Sequence, residues 1–326
     1  MSATAATGPR PVLRPFRPGD GPSLLAAWAR STPDDPISAA RFRTLILLDP
    51  NFDAEGLRVA DLGGQVVGAA YAVRRRTPPA GGDLEPADGW ILFFFVDPPH
   101  RRAGLGRRLL TDALDWLRGQ GRTRIGFAPY TPNYVLPGLD RAAYPEADRL
   151  LTALGFRVRY EAAAMDRSLI GYRVPDEVRR HQQALAARGF GFGTPSDDDL
   201  VDLVSLAAEE FTPDWARAIR RCLTGGAPLD RIVIARAPDG RLAGWAMHGA
   251  YDGTAERFGP FGVRPELRGT GLGKVLLHLT LERMRALGVH GAWFLWTGEA
   301  SPAGHLYRRS GFTTTRTFAV LEWEAG

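Results

Sequence analysis

Apolar positions along this 326-residue chain fall into short runs of strand and helix period, and the order of those runs repeats. Residues 12–16 predict a strand, and 22–30 and 39–48 predict helices. Residues 57–61 and 66–74 predict a hairpin turning at Gly63-Gly64. The continuous apolar run from Trp90 to Val96 predicts a buried strand. Leu105, Leu109, Leu110, Ala113, Leu114 and Leu117 then recur at helical spacing, predicting a helix over 104–118. A strand over 124–130, a helix over 146–154 and strand material over 158–166 close the first half.

The second half runs in the same order. Residues 190–194 predict a strand, followed by a helix capped by Ser196 or Asp197. A helix over 215–222 precedes a hairpin of 232–235 and 242–250 turning at Asp239-Gly240. Strand 257–263, helix 271–287, strand 292–297, helix 302–309 and strand 313–323 complete it. Leu276, Leu277, Thr280, Leu281 and Met284 make one apolar face of the long helix. Residues 175–188 predict a helical linker, so the expected division is 1–170, 171–189 and 190–326, an α/β protein of two tandem domains.

The two halves also match letter by letter. The segment from Val96 to Leu110 agrees with that from Val263 to Leu277 at eight of fifteen positions. Ala147, Leu150 and Gly155-Phe156 answer to Ala303, Leu306 and Gly311-Phe312. At the centre of each match stands Arg-x-x-Gly-x-Gly: Arg101, Gly104 and Gly106, then Arg268, Gly271 and Gly273. Each sits where a strand turns into a helix. Glycine lets a ligand approach the backbone, and the first N–H groups of the helix converge into an anion nest suited to a pyrophosphate. Other glycine loops are excluded. A Walker loop would need Gly at Arg268 and Ser or Thr at Val275, and a dinucleotide loop would need Gly at Leu109 and Leu276.

Composition narrows the picture further. Hydrophobic residues make up 44% and charged residues 24%, a globular balance. The longest apolar run is far short of the ~20 residues a membrane helix needs, so no membrane is expected. The first twenty residues hold no apolar leader, and the one cysteine, Cys222, fits a reducing compartment, so a cytoplasmic protein is expected. The charge of +5 invites a nucleic acid, but the arginines are scattered, with Lys274 the single lysine, and no nucleic-acid partner is expected. The six histidines are dispersed, which points to no metal, and oligomeric state is left open. Cys222 on an amphipathic helix reads as a small core residue.

With these motifs in view, the sequence resembles the GCN5-related N-acetyltransferase (GNAT) superfamily. Its signature, Val-x-Pro-x-x-Arg/Gln-x-x-Gly-x-Gly/Ala followed later by Leu-Tyr-x-x-x-Gly-Phe, appears from Val263 to Gly273 and from Leu306-Tyr307 to Gly311-Phe312. Both halves resemble members, and the resemblance implies two tandem GNAT-like domains, each a mixed, mostly antiparallel sheet flanked by helices. It implies acetyl-CoA, or another acyl-CoA, as co-substrate and transfer of the acyl group to a small-molecule primary amine by direct attack.

In the second half, Arg268, Gly269, Thr270, Gly271, Leu272, Gly273 and Lys274 would hold the pyrophosphate. Phe261, Gly262 and Val263 would pair with the pantetheine arm and polarise the thioester carbonyl. Tyr307 would protonate the departing thiolate, and Glu256 would take the amine proton, with Asp252 and Glu299 as rivals. His305 stands two residues from Tyr307 and would lie at the surface. Where the family often has Asn, this half has Ala300, with Ser301 beside it as a substitute. In the first half, Val96, Arg101, Arg102, Ala103, Gly104, Leu105, Gly106 and Arg107 would form an equivalent loop. There the acid position holds Leu151, which has no proton to give. The loop-to-Gly-Phe separation is 54 residues against 43, and the extra stretch brings Tyr130, Tyr134 and Tyr144 as replacement acids. The sequence therefore favours catalysis in the second half, the alternative being a CoA-binding sensor or scaffold in which neither half turns over.

Overall fold

A computed structural model describes residues 10–79, 82–251 and 253–325. The chain divides into two compact units. The first takes the chain as far as Pro78, Asp83–Glu161 and the segment from Phe318 on; the second takes Ala162–Thr317. The last strand thus begins in the second unit and ends in the first, a path the expected division at 170 and 190 does not contain.

In the first unit, β1 (Val12–Pro15), β2 (Leu57–Leu62), β3 (Gln65–Val73) and β4 (Asp88–Val96) pair antiparallel in that order. β4 continues parallel to β5 (Arg124–Phe127). The end of the final strand, β12 (Thr313–Glu324), closes the sheet antiparallel to β5 through Leu321–Glu324. One face carries α1 (Gly21–Ser31) and the short α2 (Ala39–Phe42), where the expected longer helix instead passes into a π turn over Arg43–Leu47. The other face carries α3 (Leu105–Gly119), whose buried residues are the five leucines and the alanine read from the periodicity, together with α4 (Pro145–Ala153). The first core is aromatic: the Trp28 ring lies 4.4 Å from Phe93 and 5.5 Å from Phe95. The expected strand over 124–130 stops at Phe127, because Ala128 turns to a φ of +75° and Pro129 has no N–H to offer a ladder.

The decisive feature of this sheet is where β4 and β5 part. β4 follows β3 along its whole length, but it meets β5 only from Asp88 to Ile91. Opposite the Tyr71–Ala72 step, Leu92 is an extra residue in β4, a bulge that bends the strand. From there to Val96 the edge of β4 facing β5 is unpaired by it, leaving a wedge.

In the second unit, β6 (Arg157–Ser168) supplies its latter part, followed by α5 (Asp176–Ala187) and β7 (Gly191–Gly193). Next come α6 (Leu200–Glu209), α7 (Pro213–Thr224), β8 (Ile232–Arg236) and β9 (Leu242–His248). β10 (Phe258–Val263), α8 (Leu272–Ala286), β11 (Gly291–Thr297) and α9 (Pro302–Arg309) follow before β12. β7, β8, β9 and β10 form an antiparallel sheet, and β11 pairs antiparallel with β6. β10 and β11 touch through the parallel Arg257–Trp293 bridge, the counterpart of the β4–β5 contact. The segment read as a linker helix is α5, and it belongs to this unit's core through buried Val178 and Leu185. Among the described residues, no helix is long and apolar enough to cross a membrane.

Candidate active site

In the first unit the phosphate loop is held from behind. Asp97 is buried and pairs with Arg30 at 2.6 Å, tying the end of β4 to α1. Arg101 donates to the Val96 carbonyl at 2.9 Å and to the Ser31 carbonyl at 2.9 Å, so its guanidinium braces the turn rather than reaching outward. Arg102 adopts a φ of +65° and pairs with Glu146. Gly104 caps α3 at a φ of +76°, and a Cβ there would meet nothing within 4 Å. The first N–H groups of α3, which have no partner within the helix, open onto that space.

The space is a cavity of about 750 Å³. Its walls are the splayed stretch of β4 (Leu92 to Val96), the loop at Gly104–Arg107, and Phe127 and Ala128 at the end of β5. Tyr144 and Leu150 close one side, and Ser31, Thr32 and Asp35, at and just beyond the end of α1, close the other. Wedge and anion nest are therefore continuous. Of the three candidate tyrosines, Tyr130 is buried and fixed by Asn51 at 2.7 Å and Asp49 at 3.2 Å, and burial raises its pKa. Tyr134 is buried, whereas Tyr144 lines the cavity and donates from its hydroxyl to Asp35 Oδ2 at 2.7 Å. Leu151 is fully buried.

The second unit repeats the local backbone, with Gly269 at φ +79° and Gly271 at φ +86°, and here α5 packs on the loop. His181, on α5, donates from Nε2 to the Thr270 carbonyl at 2.9 Å, and a Cβ on Gly271 would lie 2.0 Å from that nitrogen. Glu177, one turn earlier, takes Lys274 Nζ at 2.6 Å. Arg268 donates to the Val263 carbonyl at 3.4 Å and lies 5.9 Å over the Phe211 ring, which also packs against Gly262.

Tyr307 is buried among Phe258, Phe261, Phe294 and Phe312, with ring centroids 4.4–6.2 Å away, and burial raises its pKa. Tyr307 thus sits within an aromatic cluster, and α5 packs on the second loop through His181 and Glu177. His181 and Glu177 come from about ninety residues upstream, where no motif marks them.

The remaining candidates scatter. Glu256 is exposed, and its carbonyl accepts from Trp293 N at 3.0 Å at the apex where β10 and β11 meet. Asp252 lies outside the described residues. Glu299 pairs with Arg308 at 3.2 Å, and His305 is exposed beside Arg308. Ser301 caps α9 by accepting from Gly304 N. Cys222 lies 3.5 Å from the Gly249 carbonyl, and burial raises its thiol pKa. Among the described residues no group of three His, Cys, Asp or Glu is placed to hold a metal.

Sequence reading missed Asp35, which no motif flags. It also missed that Tyr144 stands three residues before Ala147, as Ala300 stands before Ala303; laying the repeats side by side through this position would have singled it out.

A tandem fold with two strand–nest–helix junctions, each beside a pair of parallel strands that part after a short contact, is that of an N-acetyltransferase. The acetyltransferase (GNAT) family model matches residues 23–135 and 200–312, and the chain belongs to this family. It is an acetyltransferase, and the family's co-substrate is acetyl-CoA. Among similar proteins, a mycothiol acetyltransferase of Arthrobacter sp. (strain FB24) is 34% identical over 319 residues, covering 90% of this chain and 88% of that one. A mycothiol acetyltransferase of Clavibacter michiganensis subsp. michiganensis is 29% identical over 301 residues, covering 89% and 87%. A GCN5-related N-acetyltransferase from Sphaerobacter thermophilus has a similar fold, with a TM-score of 0.70 at 19% identity over 98% of this chain and 97% of that one.

Proposed function

We propose that the chain transfers acetyl from acetyl-CoA to a primary amine of a small, mycothiol-like acceptor, and that it does so in the first unit. The observation that carries the reading is the 750 Å³ cavity that runs from the splayed edge of β4 into the nest at Gly104–Arg107. In it, the pyrophosphate sits on the α3 N-terminus, where Arg102 and Arg107 add charge. The pantetheine arm lies along the free edge of β4 like an added strand, and a β4 N–H polarises the thioester carbonyl and holds the oxyanion. The acceptor enters from the side of Ser31–Asp35. The relatives' names support the acceptor class. The covered loop of the second unit, closed by His181 and Glu177, supports assigning that unit to shaping and stabilising the protein.

The test is calorimetric titration with CoA, together with thiol release from acetyl-CoA against amino sugars and cysteinyl amines. One CoA per chain and acceptor-dependent thiol release are expected. Two equivalent CoA sites, or no release with any amine, would overturn the reading.

A further inference from the structure

We propose that Asp35 and Tyr144 are the proton-handling pair of the first cavity, with Asp35 receiving the acceptor's ammonium and Tyr144 protonating the departing thiolate. The assignment rests on the first unit being the CoA-binding one. Both side chains line the cavity, and they meet across it at 2.7 Å, hydroxyl to carboxylate. Around them the walls are mostly apolar, from Leu92 to Phe95 and at Val135 and Leu136. In such surroundings a carboxylate draws a cation strongly, and a phenol is the natural neutral donor.

Each member is held from behind, as a pair that must keep its geometry requires. Asp35 is fixed through its backbone: its N–H donates to the Thr32 carbonyl at 3.0 Å, and its carbonyl accepts from Trp28 Nε1 at 2.8 Å. Trp28 itself is packed against Phe93 in the core. Tyr144 heads α4, its N–H bound to the Asp140 carbonyl at 2.9 Å, with Pro145 setting the first turn. It stands seven residues before Leu151, about two helical turns away.

Other charged groups around the cavity are Asp140, Glu146 and the arginines at 101, 102, 107 and 149. Asp140 accepts the N–H groups of Ala142 and Ala143, and Glu146 is paired with Arg102. Asp35 is the carboxylate that meets a phenol hydroxyl there.

The protons balance as follows. The acceptor ammonium gives one proton to solvent, and the free amine attacks the thioester carbon. As the C–N bond forms, the nitrogen passes its second proton to the Asp35 carboxylate. The C–S bond breaks, its electron pair goes to sulfur, and Tyr144 protonates that thiolate. Asp35 returns its proton to the Tyr144 oxygen, leaving amide, free thiol and one proton in solvent.

The experiment uses the full chain with Tyr144→Phe and Asp35→Asn, assayed by thiol release with the amine most active in the panel above. Tyr144→Phe should lower kcat about 10²–10⁴-fold while changing CoA affinity less than threefold. Asp35→Asn keeps an oxygen to accept the tyrosine hydroxyl but no basic carboxylate, so it should lower kcat/KM for the amine at least tenfold, while Asp35→Glu, which keeps a carboxylate, should recover part of that loss. Turnover within threefold of wild type for Tyr144→Phe, or kcat/KM for the amine within threefold of wild type for Asp35→Asn, overturns the pair. If Gly104→Val leaves CoA affinity intact, the assignment of the first unit fails instead. If that variant loses CoA while Tyr144→Phe turns over normally, only the pair is wrong.

Discussion

Replacing Gly104 with valine separates the two phosphate loops, because the same change has different consequences at each. Gly104 sits at φ +76° with nothing within 4 Å of a built Cβ, so the new side chain projects into the cavity without striking protein. Its cost to folding is the left-handed backbone, roughly 1–2 kcal/mol, which lowers the melting temperature by roughly 2–8 °C for a unit of this size. Its cost to binding is larger. A pyrophosphate kept from two N–H groups forfeits about 1.5–3 kcal/mol for each charged hydrogen bond, a loss of roughly 10²–10⁴-fold in CoA affinity. At Gly271, φ +86°, a Cβ would lie 2.0 Å from His181 Nε2, so Gly271→Val must displace the His181 ring and its hydrogen bond to Thr270 as well as bear the backbone strain. Calorimetry with CoA and thermal melting of both variants read the two effects separately. Gly104→Val should lose CoA and keep most of its stability; Gly271→Val should melt lower and keep CoA affinity at temperatures where it is folded. Unchanged CoA affinity in folded Gly104→Val would refute the argument.

Two further outcomes follow from the second unit. Tyr307→Phe keeps the ring between Phe258, Phe261, Phe294 and Phe312 and should leave turnover within threefold of wild type, whereas Tyr307→Ala should cost about 3–5 kcal/mol in denaturant unfolding; a large loss of turnover in the Phe variant would return catalysis to this unit. His278 is buried against Tyr172, and burial, with Arg167 and Lys274 nearby, lowers its pKa from 6.5 to about 4. The folded state therefore holds it neutral while the unfolded state binds the proton. The associated stability is complete above pH 6.5 and is lost as pH falls toward 4, by up to about 3 kcal/mol. His278→Gln should flatten that part of the stability–pH curve measured by urea unfolding, and an unaltered slope would count against it.

Much of this protein is written locally. The duplicated segments from Val96 to Leu110 and Val263 to Leu277 fix two strand–nest–helix junctions, because the chemistry of a left-handed glycine before an apolar helix lies within fifteen neighbouring residues. The periodic leucines of α3 and the Gly63-Gly64 hairpin are legible for the same reason: a helical face and a two-residue turn are short-range properties. What the sequence could not decide is what packs against each junction. Pattern favoured the second for catalysis, since Tyr307 stands at the expected acid position and Leu151 does not. Only the tertiary structure brings His181 and Glu177 of α5 onto the second loop and packs four phenylalanines around Tyr307. Likewise only the fold places Asp35 against Tyr144, 109 residues apart, and passes the end of β12 into the sheet of the first unit. A motif specifies the backbone that binds an anion; whether that backbone faces an empty wedge or a neighbouring helix is settled by packing between residues that sequence order keeps far apart.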